Sequence, residues 1–196
     1  ASTMRPSHRT WRSLAFRGWR GLEFKGCFST GSLDHMGKTT ELRREIKRTF
    51  VPFAEAHGFK KDQRYTPQFL EFRRVVGNEL HVFDIQWEKY GNKRFVVNFG
   101  KCPSEGVEFH GQRIPPEEIS AAHCTTNGRL QPGKGASLWS WFCQDKPLLK
   151  RLFSREPLYP AEKVIGELVA MFPELEAYWE RNEIGPHLRV FQFRAG

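Results

Sequence analysis

The sequence predicts an α+β fold, an antiparallel β-sheet meander packed on one face by an N-terminal and a C-terminal helix. Three observations predict it. Apolar residues recur at helical spacing over residues 39–57 and again over 160–172, and between them lie three runs with period-two alternation. The runs are joined by short turns, and short turns join antiparallel neighbours.

Leu42, Ile46, Phe50 and Phe53 place one apolar stripe on the first helix, expected from Thr39 to His57. Thr39 or Thr40 offers the capping hydroxyl, and Gly58 suits the left-handed position that closes a helix. Pro52 has no N–H for the helical ladder and should kink the helix or split it near Val51. The strands follow as Phe69–Val76, Glu79–Glu88 and Arg94–Gly100, with turns at Gly77-Asn78 and Tyr90-Gly91-Asn92. Alternation sorts His81, Phe83, Ile85 and Trp87 from Leu80, Val82, Asp84 and Gln86, and sorts Phe95, Val97 and Phe99 from Val96 and Asn98. The first set in each strand is the natural core side.

Beyond Cys102 the pattern weakens. Val107–Phe109 and Arg113-Ile114 suit a small hairpin around His110-Gly111-Gln112, and Pro115-Pro116-Glu117-Glu118 suits a loop or a short helix. A further strand is expected within Ala121–Leu130, and Trp139, Trp141 and Phe142 form a local aromatic cluster. Val164, Ile165, Leu168 and Phe172 stripe the second helix, Pro160–Phe172. Pro173 should interrupt it before a further helix over Leu175–Trp179, and Leu188–Phe193 reads as a terminal strand.

Composition bounds the function. Hydrophobic residues make up 39% and charged residues 27%, which suits neither a disordered chain nor a membrane-embedded one. No apolar run reaches the roughly 18 residues of a spanning helix, so a cytoplasmic protein with no membrane partner is expected. Residues 1–35 lack periodicity and read as a flexible basic extension, from upstream or cloning-derived sequence or a transit-like segment. Residues 36–196 read as a single domain, with Met36 resembling an initiator. The net charge of +9 is split: residues 1–35 carry six Lys and Arg against Glu23 and Asp34, while the remainder mixes its cations with acids. Charge alone therefore allows nucleic-acid binding without favouring it.

Order and spacing then suggest a family. His57-Gly58-Phe59-Lys60-Lys61, Phe72-Arg73, Phe83-Asp84-Ile85-Gln86 and Phe95-Val96-Val97-Asn98-Phe99-Gly100 come in sequence, followed by Cys124, Arg129-Leu130 and Trp139-Ser140-Trp141. Over about Met36 to Trp179 the chain resembles the bacterial family called domain of unknown function 4304. The resemblance implies a fold and no established activity. It also implies a place near toxin–immunity loci, hence an immunity-type role.

The candidate chemistry is sparse. Gly37-Lys38-Thr39 mimics the end of a phosphate-binding loop, but Ser32 stands where the loop needs its first glycine and no apolar strand precedes it. Cys27, Cys102, Cys124 and Cys143 form no close pair of the kind that builds a zinc site, so no metal or cofactor is expected. There is no nucleophile-elbow motif, and His123 beside Cys124 would point to the opposite face of an extended strand. The polar strand residues are more informative. Arg73, Asp84, Gln86 and Asn98 fall on one side of adjacent strands, either as a buried hydrogen-bonded network or as a binding surface. Trp139 and Trp141, near Lys134, either plug the sheet end or stack bases. The function expected is a non-enzymatic binding or immunity-type protein with a protein partner. The alternatives are a nucleic-acid-binding module and a small hydrolytic enzyme.

Overall fold

The computed structural model describes residues 39–64, 66–134, 140–153 and 156–192. The extension expected over 1–35, the Gly37-Lys38 dipeptide, Cys27 and Trp139 lie outside the described residues. The N-terminal helix runs as α1 (Thr40–Glu45), a π-helical stretch (Ile46–Phe50) and α2 (Val51–Ala56). The wide π turns directly precede Pro52, where a regular α-turn would press the proline ring against the Arg48 carbonyl. Gly58, at φ 81°, ends the helix as expected.

Seven strands form one antiparallel sheet. Its path is β1 (Lys60–Lys61), β2 (Phe69–Val76), β3 (Glu79–Trp87), β4 (Arg94–Pro103), β7 (Thr126–Leu130) and β9 (Leu188–Gln192). The short β8 (Phe142–Cys143) pairs with the start of β4, next along the edge that β7 occupies. The β2–β3–β4 meander follows the expected turns, with Gly77 at φ 58° and Gly91 at φ 76°. A separate hairpin, β5 (Val107–Phe109) and β6 (Gln112–Ile114), turns through His110 and Gly111 at positive φ. The 3-10 turns Pro116–Glu118 and Ala121–His123 lead into β7.

After the short α3 (Leu148–Leu152) comes α4 (Ala161–Arg181), where the sequence expectation needs correction. Pro173 does not interrupt the helix. It sits at an exposed position inside a continuous helix that buries Val164, Ile165, Leu168 and Phe172 before it and Leu175, Tyr178 and Trp179 after it. Burial of both halves against the same sheet outweighs the one hydrogen bond lost at the proline.

The main core lies between the helices and the face of the sheet carrying Phe72, Phe83, Ile85, Trp87, Phe95, Val97 and Phe99. Phe83 is its centre, stacked on Phe72 at 4.6 Å between ring centroids and meeting Phe59, Phe172 and Phe50 edge-on. A second, smaller core occupies one end of the opposite face, where Leu80, Val82, Cys102, Ile119 and Cys124 pack together. Alternation alone had left that face without a cover. Phe83→Ala should destabilise the protein by about 3–5 kcal/mol in urea unfolding, because several aromatic neighbours border the space it would vacate.

Candidate functional site

Sheet register builds the site. Cα pairing aligns Glu71 with Asp84, Asp84 with Asn98, Asn98 with Arg129 and Arg129 with Arg189, one polar row crossing five strands. Directly paired residues share a face, and the neighbouring positions of β3 and β4 are committed to the main core. The row therefore lies on the side away from the helices. Asn98 is its hinge. Its Nδ2 donates to Asp84 Oδ1 at 2.7 Å and to Gln86 Oε1 at 3.0 Å, and its Oδ1 accepts from Arg129 Nε at 3.2 Å.

A pocket of about 390 Å³ opens over this row. Glu71, Asp84, Gln86, Asn98 and Asn127 belong to its polar lining, Phe69 and Phe191 are its aromatic lining, and residues 120–122 form part of its wall. Asp84 is only 4% exposed. Its Oδ2 and the Nε2 of Gln86 make no hydrogen bond among the described residues. Among the described residues, no Lys or Arg lines the pocket.

Arg73 shares this face but not this network. Its guanidinium reaches Asp62 and Glu71, both at 2.6 Å, and its Nε donates to the Ile119 carbonyl at 2.7 Å. Arg73 is paired in register with Val82, and its long side chain serves the sheet margin, where Arg64 also holds Asp62. Sequence reasoning missed Asp62, Glu71 and Arg129. Glu71 could have been found two residues before Arg73 on the same strand, and Arg129 by extending the alternation one strand beyond β4, whereas Asp62 lies in a loop with no pattern.

The family described as Domain of unknown function (DUF4304) matches residues 50–152, just over half of the 196-residue chain. The chain belongs to this family. The match is narrower than the span from Met36 to Trp179 that motif order suggested, and it leaves out α1, α4 and β9. Every residue lining the pocket falls within it except Phe191. No curated protein and no solved structure matches the chain.

The remaining sequence candidates stand apart from the pocket. Trp141 is half-buried, with the Arg94 guanidinium 5.2 Å from its ring centroid. Phe142 of that cluster is buried and stacked on Phe95. Cys124 follows a 3-10 turn rather than lying in a strand, and its Sγ donates to the Ser120 carbonyl. A hydrogen bond with Cys102, followed by burial, pushes its thiol well above the ordinary range, the reverse of an activated nucleophile. His123 Nδ1 instead accepts from the Ser120 backbone N–H. No group of three or more metal-ligating side chains occurs among the described residues.

Burial pushes the Asp84 carboxyl up to about 7. The Asn98 amide and the charges of Arg129 and Arg73 pull it back, while Glu71 adds to the rise. The native state thus binds the proton more tightly than the unfolded chain, whose Asp titrates near 3.9. The fold accordingly loses stability as pH rises from about 4 to about 7, and no further above that. Asp84→Asn should be close to wild type at pH 4 and more stable at pH 8, by at most about 4 kcal/mol, in parallel urea titrations. Asn98→Ala strips partners from Asp84, Gln86 and Arg129 together and should cost about 1–3 kcal/mol. Gln86→Ala leaves the Asn98–Asp84 bond in place and should stay within about 0.5 kcal/mol.

Proposed function

We propose that the protein is a non-enzymatic binding protein whose recognition site is the polar pocket over Asp84, Gln86 and Asn98. One observation carries the reading: Asp84, 4% exposed and facing a pocket of about 390 Å³, has one carboxylate oxygen without a hydrogen-bond partner among the described residues. That oxygen keeps solvent contact through the pocket, and a bound group that donates to it takes the place of water in a recess of low dielectric. The volume lies within the range of small-ligand sites and also accommodates a single side chain of a partner protein. A partner protein would make the role one of the immunity type.

The arrangement lends less to catalysis. A carboxyl near 7 has the proton affinity of a general base, but no hydroxyl, thiol or imidazole is hydrogen-bonded to Asp84. A second groove of about 780 Å³, lined in part by Arg43, Arg44, Lys47 and Lys89, favours the nucleic-acid reading. Trp87 at its base is 3% exposed and already covered by the Arg43 guanidinium, 4.2 Å from its ring centroid. That groove therefore offers phosphate contacts without a stacking platform.

The two sites are separable by NMR titration of the full chain with a mixed set of small polar fragments. Shifts should centre on Asp84, Gln86 and Asn98 and vanish in Gln86→Arg, which fills the pocket. Shifts confined to Arg44 and Lys47, with short single-stranded DNA binding that falls steeply with salt, would replace this reading with the nucleic-acid one.

A further inference from the structure

We propose that the pocket selects a cationic group, an ammonium or guanidinium, that docks on Asp84 between Phe69 and Phe191. The inference rests on the binding reading above and names the chemistry that would satisfy it. The chain as a whole carries +9, yet among the described residues this pocket is lined by two carboxylates and by no Lys or Arg. One of the two is already matched: Glu71 pairs with Arg73 at 2.6 Å and lies 3.8 Å from Arg64. Asp84 makes no ion pair within 4 Å among the described residues, and its one hydrogen bond comes from a neutral amide.

The rest of the lining supports the same choice. Both N–H bonds of Asn98 are directed at Asp84 and Gln86, so its amide offers the ligand no donor there. Gln86 Nε2 is a side-chain donor left over, suited to one acceptor on the same ligand. Aromatic rings receive the apolar shaft of a Lys or Arg side chain or of an alkyl amine, and attract the cation itself. Two arginines stand in the row. Arg129 is hydrogen-bonded to Asn98, and Arg189 lies against Phe191 with its guanidinium 5.7 Å from the ring centroid.

Two sources supply such a cation, a free amine or guanidine and the side chain of a partner chain. The test is NMR and calorimetric titration of the full chain at pH 8. The probes are ethylguanidinium, butylammonium and the capped pentapeptide Gly-Gly-Arg-Gly-Gly, with its citrulline counterpart and propionate as neutral and anionic controls. The cations should shift Asp84 and Gln86 resonances. Citrulline for arginine, or Asp84→Asn, should weaken binding about tenfold or more, the loss expected for one charge-assisted hydrogen bond. Glu55→Gln, which removes a carboxylate on α2, should leave binding unchanged.

Binding of the cations should also weaken several-fold from pH 8 to pH 6 as Asp84 takes up its proton. Among the described residues the charged groups that act on Asp84 are Glu71 and Arg73 on β2 and Arg129 on β7, and His123 in the 3-10 turn interacts with Glu71 and Arg73. Tighter binding of the peptide than of ethylguanidinium would assign the cation to a partner chain, and the reverse order to a small molecule; both outcomes support the inference. Equal binding of the arginine and citrulline peptides, or propionate binding that survives Asp84→Asn, would overturn the cation while leaving the pocket as a binding site. Absence of any probe or fragment from the pocket would overturn both.

Discussion

The register of β3 against β4 is the constraint on which the rest depends. Phe83 pairs with Phe99, Ile85 with Val97 and Trp87 with Phe95, and all six side chains are buried against the helices. The side-chain period of a strand is two, so this aromatic commitment sends Asp84, Gln86 and Asn98 to the other face with no further choice. A slip of one residue would drive a carboxylate and two amides into a layer of phenylalanines. The core therefore fixes the position of the polar row as firmly as any contact the row makes for itself.

The second face is closed at one end and open at the other. Where β4 passes beneath the turn before β7, Gly100 lets that turn come close: a Cβ built there would lie 2.7 Å from Cys124 Cβ and 3.2 Å from the Ala121 carbonyl. Leu80, Val82 and Cys102 are covered at this end, and residues 120–122 are held where they can wall the pocket. Trp179 donates to the Gly100 carbonyl at 3.1 Å from the helical side, so α4 and the second core meet at the same residue of β4. Packing of the long C-terminal helix and the shape of the pocket are thus linked through one glycine.

The legible parts of the sequence were those ruled by a period. Residues 42–53 and 160–172, the three alternating runs and the glycine turns gave helices, meander and core side, because each pattern reflects a single local geometry. Alternation also put Arg73, Asp84, Gln86 and Asn98 on one face. It did not say which of them touch, since that depends on how far each side chain reaches. Arg73 reaches outward to Asp62, while Asn98 sits between two acceptors. The hairpin of β5 and β6 was legible from its turn, but the cover over Leu80 and Val82 was not, because so short a pattern does not say where the unit packs. Pro173 misled because its local cost is real, and only the packing of both helix halves on the same sheet outweighs it.

Asn98 explains why the row is not simply a buried salt bridge. In register it stands between Asp84 and Arg129, giving its Nδ2 to the acid and taking a donor from the base with its Oδ1. Direct contact of Asp84 with Arg129 would have drawn the carboxyl far below neutrality and left nothing for another cation to do. With an amide interposed, the arginine gives its Nε to Asn98, while the acid keeps one hydrogen bond, a burial cost and an open side. The chain's other positive charges contribute little at this depth, because exposed charges are screened over about 8 Å at physiological salt. What decides the pocket's preference is therefore the immediate lining. That lining is an acid whose charge is only partly compensated, which is an arrangement that stability alone would not favour.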